Sequence, residues 1–146
     1  PANLYGEGDN FDLKSSHVIP ALIRKFHYAK INFKKTVEVW GSGNIKREFL
    51  NVDDLASSVI FLLNKKIKQS YVNVGSNDYL TIKDLSKLIK KITNYNGKIV
   101  FNKKYPDGVR KRKLDTSILD ILGWKSKIKI TNGLKKYYKY FTENYT

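Results

Sequence analysis

The sequence contains only two histidines, His17 and His27, and imidazoles are the groups best suited to proton transfer near neutral pH. His17 directly follows Ser15 and Ser16, but a nucleophile and its base seldom face each other as sequence neighbours, so no hydrolase triad is expected. Neither histidine has metal-ligand spacing, and we predict no metal site. His17 lies where a glycine-rich loop leads into a predicted helix, a position from which an imidazole can act as an acid or base at a cleft edge. His27 stands among lysines and is expected to face solvent.

Arginine is scarce, since only Arg24, Arg47, Arg110 and Arg112 occur among 28 basic residues. A guanidinium group binds phosphate through two parallel hydrogen bonds, which an ammonium group cannot do. Two of the four stand in the stretch 103–113, which has six cations and a single acid. This basic stretch suits a polyanionic ligand, and a solvated surface loop is the alternative.

Two short patterns resemble known motifs but lack their context. Gly41-Ser42-Gly43 has neither the lysine nor the helix start of a phosphate-binding loop, so a hairpin turn is favoured. Tyr79 and Lys83 have the Y-x-x-x-K spacing of short-chain dehydrogenases, but Thr81 is predicted to cap the helix and leaves Tyr79 outside it. No G-x-G-x-x-G follows a strand, so no dinucleotide pyrophosphate site is predicted.

Composition restricts the class of protein. The 146 residues are 41% hydrophobic and 13% aromatic, which argues against intrinsic disorder. No apolar run approaches the roughly 20 residues of a membrane helix, and without cysteine there is no disulfide framework or thiolate metal site. The net charge of +15 comes mostly from lysines spread over every predicted helix, which indicates a solvated surface more than a nucleic-acid stripe. We expect one soluble, cytoplasmic α/β domain that is processed or part of a longer chain, because it begins at Pro1 and has no methionine.

Periodicity predicts the elements that hold these residues. Helices are expected over 16–30, after an N-cap at Asp53 or Asp54, after an N-cap at Thr81, over 115–123 and over 131–144. Alternating or β-branched stretches predict strands over 36–40, 47–52, 71–75 and 98–102, and residues 3–16 read as a loop. Strands interleaved with helices indicate a single α/β domain.

Several stretches in one register resemble a known family. They are P-A-N-L-Y-G at 1–6, S-H-V-I-P-A-L at 16–22, V-W-G-S-G at 39–43, R-E-F-L at 47–50 and V-D-D at 52–54. N-V-G at 73–75, P-D-G at 106–108 and L-G-W at 122–124 continue the match. The chain resembles the C-terminal part of the GDP-L-fucose synthases, which are extended short-chain dehydrogenases/reductases. The resemblance implies an α/β substrate-binding domain, with a small sheet and several helices, whose N-terminal Rossmann domain is absent. Residues 1–146 would then be a fragment of a longer two-domain enzyme.

The resemblance also implies an activity. Such an enzyme epimerises GDP-4-keto-6-deoxy-D-mannose at C3 and C5 and reduces C4 with NADPH to give GDP-L-fucose. The full-length protein would be a homodimer that uses NADP and no metal, and this chain alone would be inactive. A related NAD(P)-dependent sugar-nucleotide reductase, epimerase or dehydratase is the first alternative. A basic module that binds nucleic acid is the second.

The resemblance assigns roles to individual residues. His17 matches the acid/base of epimerisation and also approaches the nicotinamide end of the cofactor. The segment that lines the cofactor in this family is matched by four residues, Pro1, Ala2, Asn3 and Leu4, of which Asn3 also lies near the sugar. The guanine-side match is Val18, Leu22, Val39 and Trp40, where Trp40 offers a flat apolar wall for a purine and core packing is its alternative. Among the remaining substrate contacts, Arg47 matches a residue that binds the pyrophosphate, and Asp107 matches a substrate contact in the P-D-G loop. Lys25 stands where the family has an arginine near the sugar, and Arg112 stands where the family has a lysine that binds phosphate. We therefore expect the side chains of His17, Trp40 and Arg47 to border one pocket.

Overall fold

The computed structural model describes residues 1–109 and 111–146, with Lys111 and Arg112 described as backbone only. Within that part the helices are α1 (Val18–Ile31), α2 (Val52–Leu63), α3 (Ile82–Ile92), α4 (Ser117–Leu122) and α5 (Ile130–Asn144). The strands are β1 (Asn3–Tyr5), β2 (Thr36–Trp40), β3 (Lys46–Asn51), β4 (Tyr79–Thr81), β5 (Lys98–Asn102) and β6 (Lys111–Arg112). The α/β class expected from the sequence is confirmed.

Strand β3 organises the larger of the two sheets. Its C-terminal half pairs in parallel with β1, so that Asn3 lies opposite Phe49. Its N-terminal half pairs with antiparallel β4 and with parallel β6, which places Arg47 opposite both Leu80 and Arg112. Strands β2 and β5 form a separate parallel pair. The segment between β2 and β3 therefore joins two different sheets.

The main core lies between α1, α3 and α5. On α1, Ile19, Ile23 and Phe26 are fully buried, at the spacing of one helical face. Pro20 lies in the first turn of α1, where a missing N–H costs little. The buried residues of α5 complete this core with leucine and aromatic side chains, which are Leu134, Tyr137 and Phe141.

A buried carboxylate ties two loops to β3. Glu48 is 1% exposed, and its Oε1 accepts hydrogen bonds from the backbone N–H groups of Ser76 (3.1 Å) and Asn77 (3.2 Å). Its Oε2 accepts a third from the N–H of Leu114 at 3.0 Å. Three backbone donors thus compensate the desolvation of this carboxylate.

Two further carboxylates accept hydrogen bonds from the segment that leads into α5. Asp54 accepts hydrogen bonds from the backbone N–H groups of Lys127 (3.1 Å) and Ile128 (2.9 Å). Asp78 accepts one from the N–H of Ile130, the first residue of α5, at 2.9 Å. Because burial of Asp78 outweighs this hydrogen bond, the pKa of its carboxyl group is raised.

Several local predictions are confirmed. Strands β2 and β5 have the predicted bounds. The Thr81 side chain caps α3 by accepting a hydrogen bond from the N–H of Asp84 at 3.0 Å. Helix α4 ends at Gly123, whose φ of +88° is the left-handed conformation that glycine adopts readily.

Other local predictions were wrong. Residues 71–75 form no strand, although Val74 is buried. The cap of α2 is Asn51, whose side chain accepts a hydrogen bond from the N–H of Asp53, and neither Asp53 nor Asp54 occupies the cap position. The turn 41–43 is not a hairpin, because β2 pairs with β5 instead of β3. Strands β1, β4 and β6 have three residues or fewer, too few to show a sequence period.

His27 is buried, so its predicted exposure to solvent was wrong. It is 7% exposed, and its Nδ1 lies 3.0 Å from the hydroxyl oxygen of Tyr138. The edge-to-face neighbours of its ring are Tyr28 and Phe141. The aromatic face of α5 covers this side of α1, which the spacing of residues within α1 does not reveal.

Helix α2 has apolar side chains on two faces. Leu55, Phe61 and Leu62 pack against the core cluster around Leu119 and Trp124, and the polar Asp54 and Ser58 are buried. Val59, Ile60 and Leu63 are exposed. Helices of soluble domains normally bury their apolar stripe. Within the described residues, no helix has both the length and the apolar character required to cross a membrane.

We predict that Glu48→Ala lowers the free energy of unfolding by about 3 kcal/mol or more, because three backbone N–H groups lose their hydrogen bonds to a buried carboxylate. Urea denaturation followed by circular dichroism measures this change. Glu143→Ala is the control, since Glu143 lies on the surface of α5, 3.6 Å from Lys139, and its loss should cost less than about 0.5 kcal/mol. Equal effects of the two substitutions would contradict the structural role of Glu48.

We also predict that stability falls as the pH is lowered below about 6.5, the ordinary pKa of histidine. Burial, with a smaller contribution from Lys30, lowers the pKa of His27 in the folded protein. The unfolded chain therefore binds the proton more readily than the folded protein. The contribution of His27 to stability is fully present above about pH 6.5 and is lost as the pH falls toward the lower pKa of the folded state. His27→Gln should flatten this part of the pH profile in urea unfolding, whereas His17→Gln should retain the decline. An unchanged slope in His27→Gln would refute the assignment.

Candidate functional site

A cavity of about 650 Å³ lies among the N-terminal segment, the first turns of α1 and the strands β2 and β3. Its volume is in the range of small-molecule sites. Ten of the residues expected at the site border it. They are Ala2, Asn3, Leu4, His17, Val18, Leu22, Lys25, Val39, Trp40 and Arg47. The side chains of His17, Trp40 and Arg47 thus meet at one cavity, as the sequence predicts.

His17 occupies the N-cap position of α1 with an extended backbone (φ −68°, ψ 170°). Its carbonyl group accepts the first helical hydrogen bond, from the N–H of Ala21 at 3.1 Å. The imidazole makes no capping bond, is exposed at the cavity wall and forms no hydrogen bond with the described residues. It is therefore free to exchange a proton with a bound molecule.

The segment 2–4 forms a fixed part of the wall. The Nδ2 of Asn3 donates a hydrogen bond to the Glu48 carbonyl oxygen at 2.8 Å, in addition to the β1–β3 ladder. The N–H of Ala2 donates to the carbonyl oxygen of Val74 at 2.8 Å. Pro1 is exposed and does not border the cavity. This wall is neutral and held by backbone pairing.

Arg47, two residues before Phe49 on β3, places at the cavity a cation whose hydrogen-bonding capacity is only partly used. Its Nη1 donates hydrogen bonds to the carbonyl oxygens of Lys46 (2.8 Å) and Val109 (2.6 Å). Its Nη2 and Nε form no hydrogen bond with the described residues, so one edge of the guanidinium group is available to an anion.

Trp40 lies between two neighbours. It is 53% exposed, and its ring stacks on that of Tyr105 with centroids 4.4 Å apart and an angle of 15°. The ammonium nitrogen of Lys25 lies 4.6 Å from the Trp40 ring centroid and donates a hydrogen bond to the Glu38 carbonyl oxygen at 3.2 Å. Burial lowers the pKa of Lys25, and Glu38 opposes that shift in part. Tyr105 was not singled out in the sequence, because its proximity to Trp40 follows from the β2–β5 pairing.

The structure places Asp107 outside the cavity wall, where it joins the P-D-G loop to the turn 41–43. Its Oδ1 accepts a hydrogen bond from the N–H of Ser42 (2.8 Å) and its Oδ2 one from the Ser42 hydroxyl (2.6 Å). These hydrogen bonds lower the pKa of the Asp107 carboxyl group. Gly41 is required beside them, because it has a φ of +83° and an added Cβ would lie 2.5 Å from the Asp107 Oδ1. The Arg112 side chain and Arg110 lie outside the described residues, and the backbone of Arg112 pairs with β3.

The charge of the wall favours an anionic ligand. Lys14, Lys25 and Arg47 border the cavity, and no acidic residue is among its described lining residues. Groups of three or more potential metal ligands are not found in the described part of the chain.

Comparisons with known proteins point to one family. The model of the NAD dependent epimerase/dehydratase family matches residues 1–75. A rice protein (Oryza sativa subsp. japonica) named probable GDP-L-fucose synthase 1 is 46% identical over 144 residues, which are 99% of this chain and 44% of that protein. The chain thus spans about half the length of the curated relatives it matches.

Solved structures share the fold. A GDP-L-fucose synthetase from Naegleria fowleri bound to NADP superposes with a TM-score of 0.91 at 27% identity, over 98% of this chain and 45% of that one. The GDP-mannoheptose C4 reductase from Campylobacter jejuni, with NADP bound, gives a TM-score of 0.82 at 33% identity, over 96% and 51% of the two chains.

Proposed function

The chain belongs to the NAD dependent epimerase/dehydratase family, and on that basis we propose that it is the substrate-binding part of an NADPH-dependent GDP-L-fucose synthase. The whole enzyme epimerises GDP-4-keto-6-deoxy-D-mannose at C3 and C5 and reduces C4 to give GDP-L-fucose. The main support is the placement of His17, Trp40 and Arg47 around one cavity of about 650 Å³. An imidazole, an aromatic plane and a guanidinium group suit a sugar, a purine and a diphosphate.

The base lies beside α1 and β2, and the diphosphate lies beside Arg47 on β3. Val18, Leu22 and Val39 form an apolar wall beside the indole of Trp40, which suits the flat face of guanine. The unpaired edge of Arg47 binds the diphosphate, and Lys25 adds a second cation there. Because Arg47 is also hydrogen-bonded to Val109, diphosphate binding fixes the basic stretch near the ligand.

His17 acts at the sugar. The C4 carbonyl group acidifies the protons at C3 and C5, and epimerisation removes each proton from one face and returns one to the other. An imidazole without a hydrogen bond to the described residues can serve as one member of that acid/base pair. Asp107 lies outside the cavity wall, and a contact between its carboxylate and the substrate requires that it leave Ser42.

The chain provides one wall of the cofactor site. Ala2, Asn3 and Leu4 are neutral and held by backbone pairing, so they fit the nicotinamide end of NADPH, whose reduced ring is uncharged, with His17 adjacent. NADPH, when bound, supplies the hydride for reduction at C4. Pro1 borders this segment and makes no cavity contact here.

A related GDP-sugar reductase is the second candidate. It is favoured by Lys25, which replaces an arginine of the resembled family, and by the 33% identity to a protein named GDP-mannoheptose C4 reductase. Product analysis after incubation of the full-length protein with GDP-4-keto-6-deoxymannose and NADPH separates the two. Formation of GDP-L-fucose supports the first candidate, and absence of turnover favours the second.

We propose that residues 1–146 are the substrate domain and that a cofactor domain covers the outward face of α2. The exposed Val59, Ile60 and Leu63 support this assignment, because such an apolar stripe is normally buried. The greater length of the relatives is consistent with a second domain. A homodimer and a cytoplasmic location stay predictions of the sequence.

For the full-length enzyme, we predict that His17→Asn slows the uptake of solvent deuterium at C3 or C5 of GDP-4-keto-6-deoxymannose by roughly 10²–10⁴-fold, the usual contribution of a general acid/base. The uptake is followed by NMR in D₂O. His27→Gln is the control, because His27 lies in the core away from the cavity. Unchanged uptake in His17→Asn would remove His17 from this role.

We further predict that Ile60→Lys destabilises the full-length protein, with a loss of about 2 kcal/mol or more from burying a charged side chain in an apolar contact. Thermal unfolding measures the change. Phe33→Lys is the matched control, since Phe33 is 92% exposed in the loop after α1. If both substitutions leave the melting temperature unchanged, the outward face of α2 is not covered.

A further inference from the structure

Three contacts join the segment 103–109 to the segment 40–47. They are Tyr105 on Trp40, Asp107 on Ser42, and the Val109 carbonyl group with Arg47. These contacts are made by the Tyr105 ring, the Asp107 carboxylate and the backbone carbonyl group of Val109. Of the three, the aromatic contact has no part in the function proposed above.

Tyr105 and Lys25 lie on opposite faces of the Trp40 indole. A ring stacked at 4.4 Å fills the space above the face that it covers, so the ammonium group at 4.6 Å must lie over the other face. Lys25 and Trp40 border the cavity and Tyr105 does not. Tyr105 therefore supports the indole from behind, and Lys25 covers the face that is directed toward the cavity.

An indole that is half exposed needs such support to be an effective binding surface. Without a neighbour, Trp40 would sample several rotamers, and a ligand would have to restrict them at a cost in affinity. Offset-stacked aromatic pairs are favourable beyond the area they bury. Tyr105 is itself held by the hydrogen bond from its backbone N–H to the Asn102 carbonyl oxygen (3.3 Å), at the end of the β2–β5 pair.

We propose that Tyr105 is a positioning residue for nucleotide binding, which holds Trp40 so that its cavity-facing side is a preformed surface for the purine base. The base takes the place of the Lys25 ammonium group, which moves from the indole toward the diphosphate. This inference rests on the proposed function, because the purine is the base of the GDP-sugar.

The test measures binding of GDP and of inorganic pyrophosphate to the full-length protein by isothermal titration calorimetry. Tyr105→Leu should weaken GDP binding by about three- to tenfold and leave pyrophosphate binding unchanged. Tyr105→Phe keeps the stacked ring and should restore GDP affinity to within about twofold. Tyr71→Leu is the matched control, because Tyr71 is 77% exposed and borders no part of the cavity. In a Trp40→Leu background, Tyr105→Leu should have no further effect.

A spectroscopic measurement reports on the indole directly. In protein labelled with 5-fluorotryptophan, the Trp40 resonance is identified by its loss in Trp40→Phe. Tyr105→Leu should shift and broaden that resonance, and Tyr105→Phe should restore its width.

The outcomes separate this inference from the proposed function. If Tyr105→Leu weakens GDP and pyrophosphate equally, Tyr105 holds the loop beside Arg47 and the inference is wrong. If Tyr105→Leu binds GDP as well as a wild-type protein that itself binds GDP, only the inference fails. If the wild-type protein does not bind GDP, the proposed function fails and the inference falls with it.

Discussion

The burial of the Glu48 carboxylate on β3 determines which face of that strand borders the cavity. Side chains of a strand alternate between its faces, and Glu48 points to the side where three backbone N–H groups satisfy it. The residues on either side, Arg47 and Phe49, consequently face the cavity, and Ile45 lies in the same row. One face of this strand thus fixes the loops near residues 76 and 114, and the other supplies part of the ligand wall. Removing the Glu48 carboxylate would loosen the two loops near residues 76 and 114.

The predictable part of the fold is the part encoded over a few neighbouring residues. The alternation in β2, the short apolar run of β5 and the Thr81 cap of α3 are local signals, and each was confirmed. The segment 71–75 also alternates, but its valines pack against the cluster around Leu119 and Trp124 without forming a strand ladder. In segment 71–75 the alternation of side chains therefore indicates burial of the valines but does not indicate that the backbone pairs with another strand. Short strands such as β4 depend on β3 for their hydrogen bonds, and nothing within their own sequence distinguishes them.

The candidate site divides in a similar way. His17, Trp40 and Arg47 could be selected because imidazole, indole and guanidinium have specific chemistry and lie in a register shared with a family. Tyr105 could not, since its position beside Trp40 follows from the pairing of strands some sixty residues apart. The same pairing brings Asp107 to Ser42, so a residue expected to contact substrate instead accepts hydrogen bonds from within the protein. Long-range pairing is the information that spacing along one chain lacks.

The two-residue spacing of Tyr105, Asp107 and Val109 has an evolutionary consequence. Inserting or deleting one residue within this segment would displace the residues that follow it, so the contacts beyond the change would be lost together. Exchanging Tyr105 or Asp107 for another residue would disturb a single contact, and exchanging Val109 would keep its carbonyl contact. Homologues that retain this binding mode should therefore differ in the residue types at positions 105, 107 and 109 but keep the length of segment 103–109. A change in length would mark homologues that have acquired a different ligand.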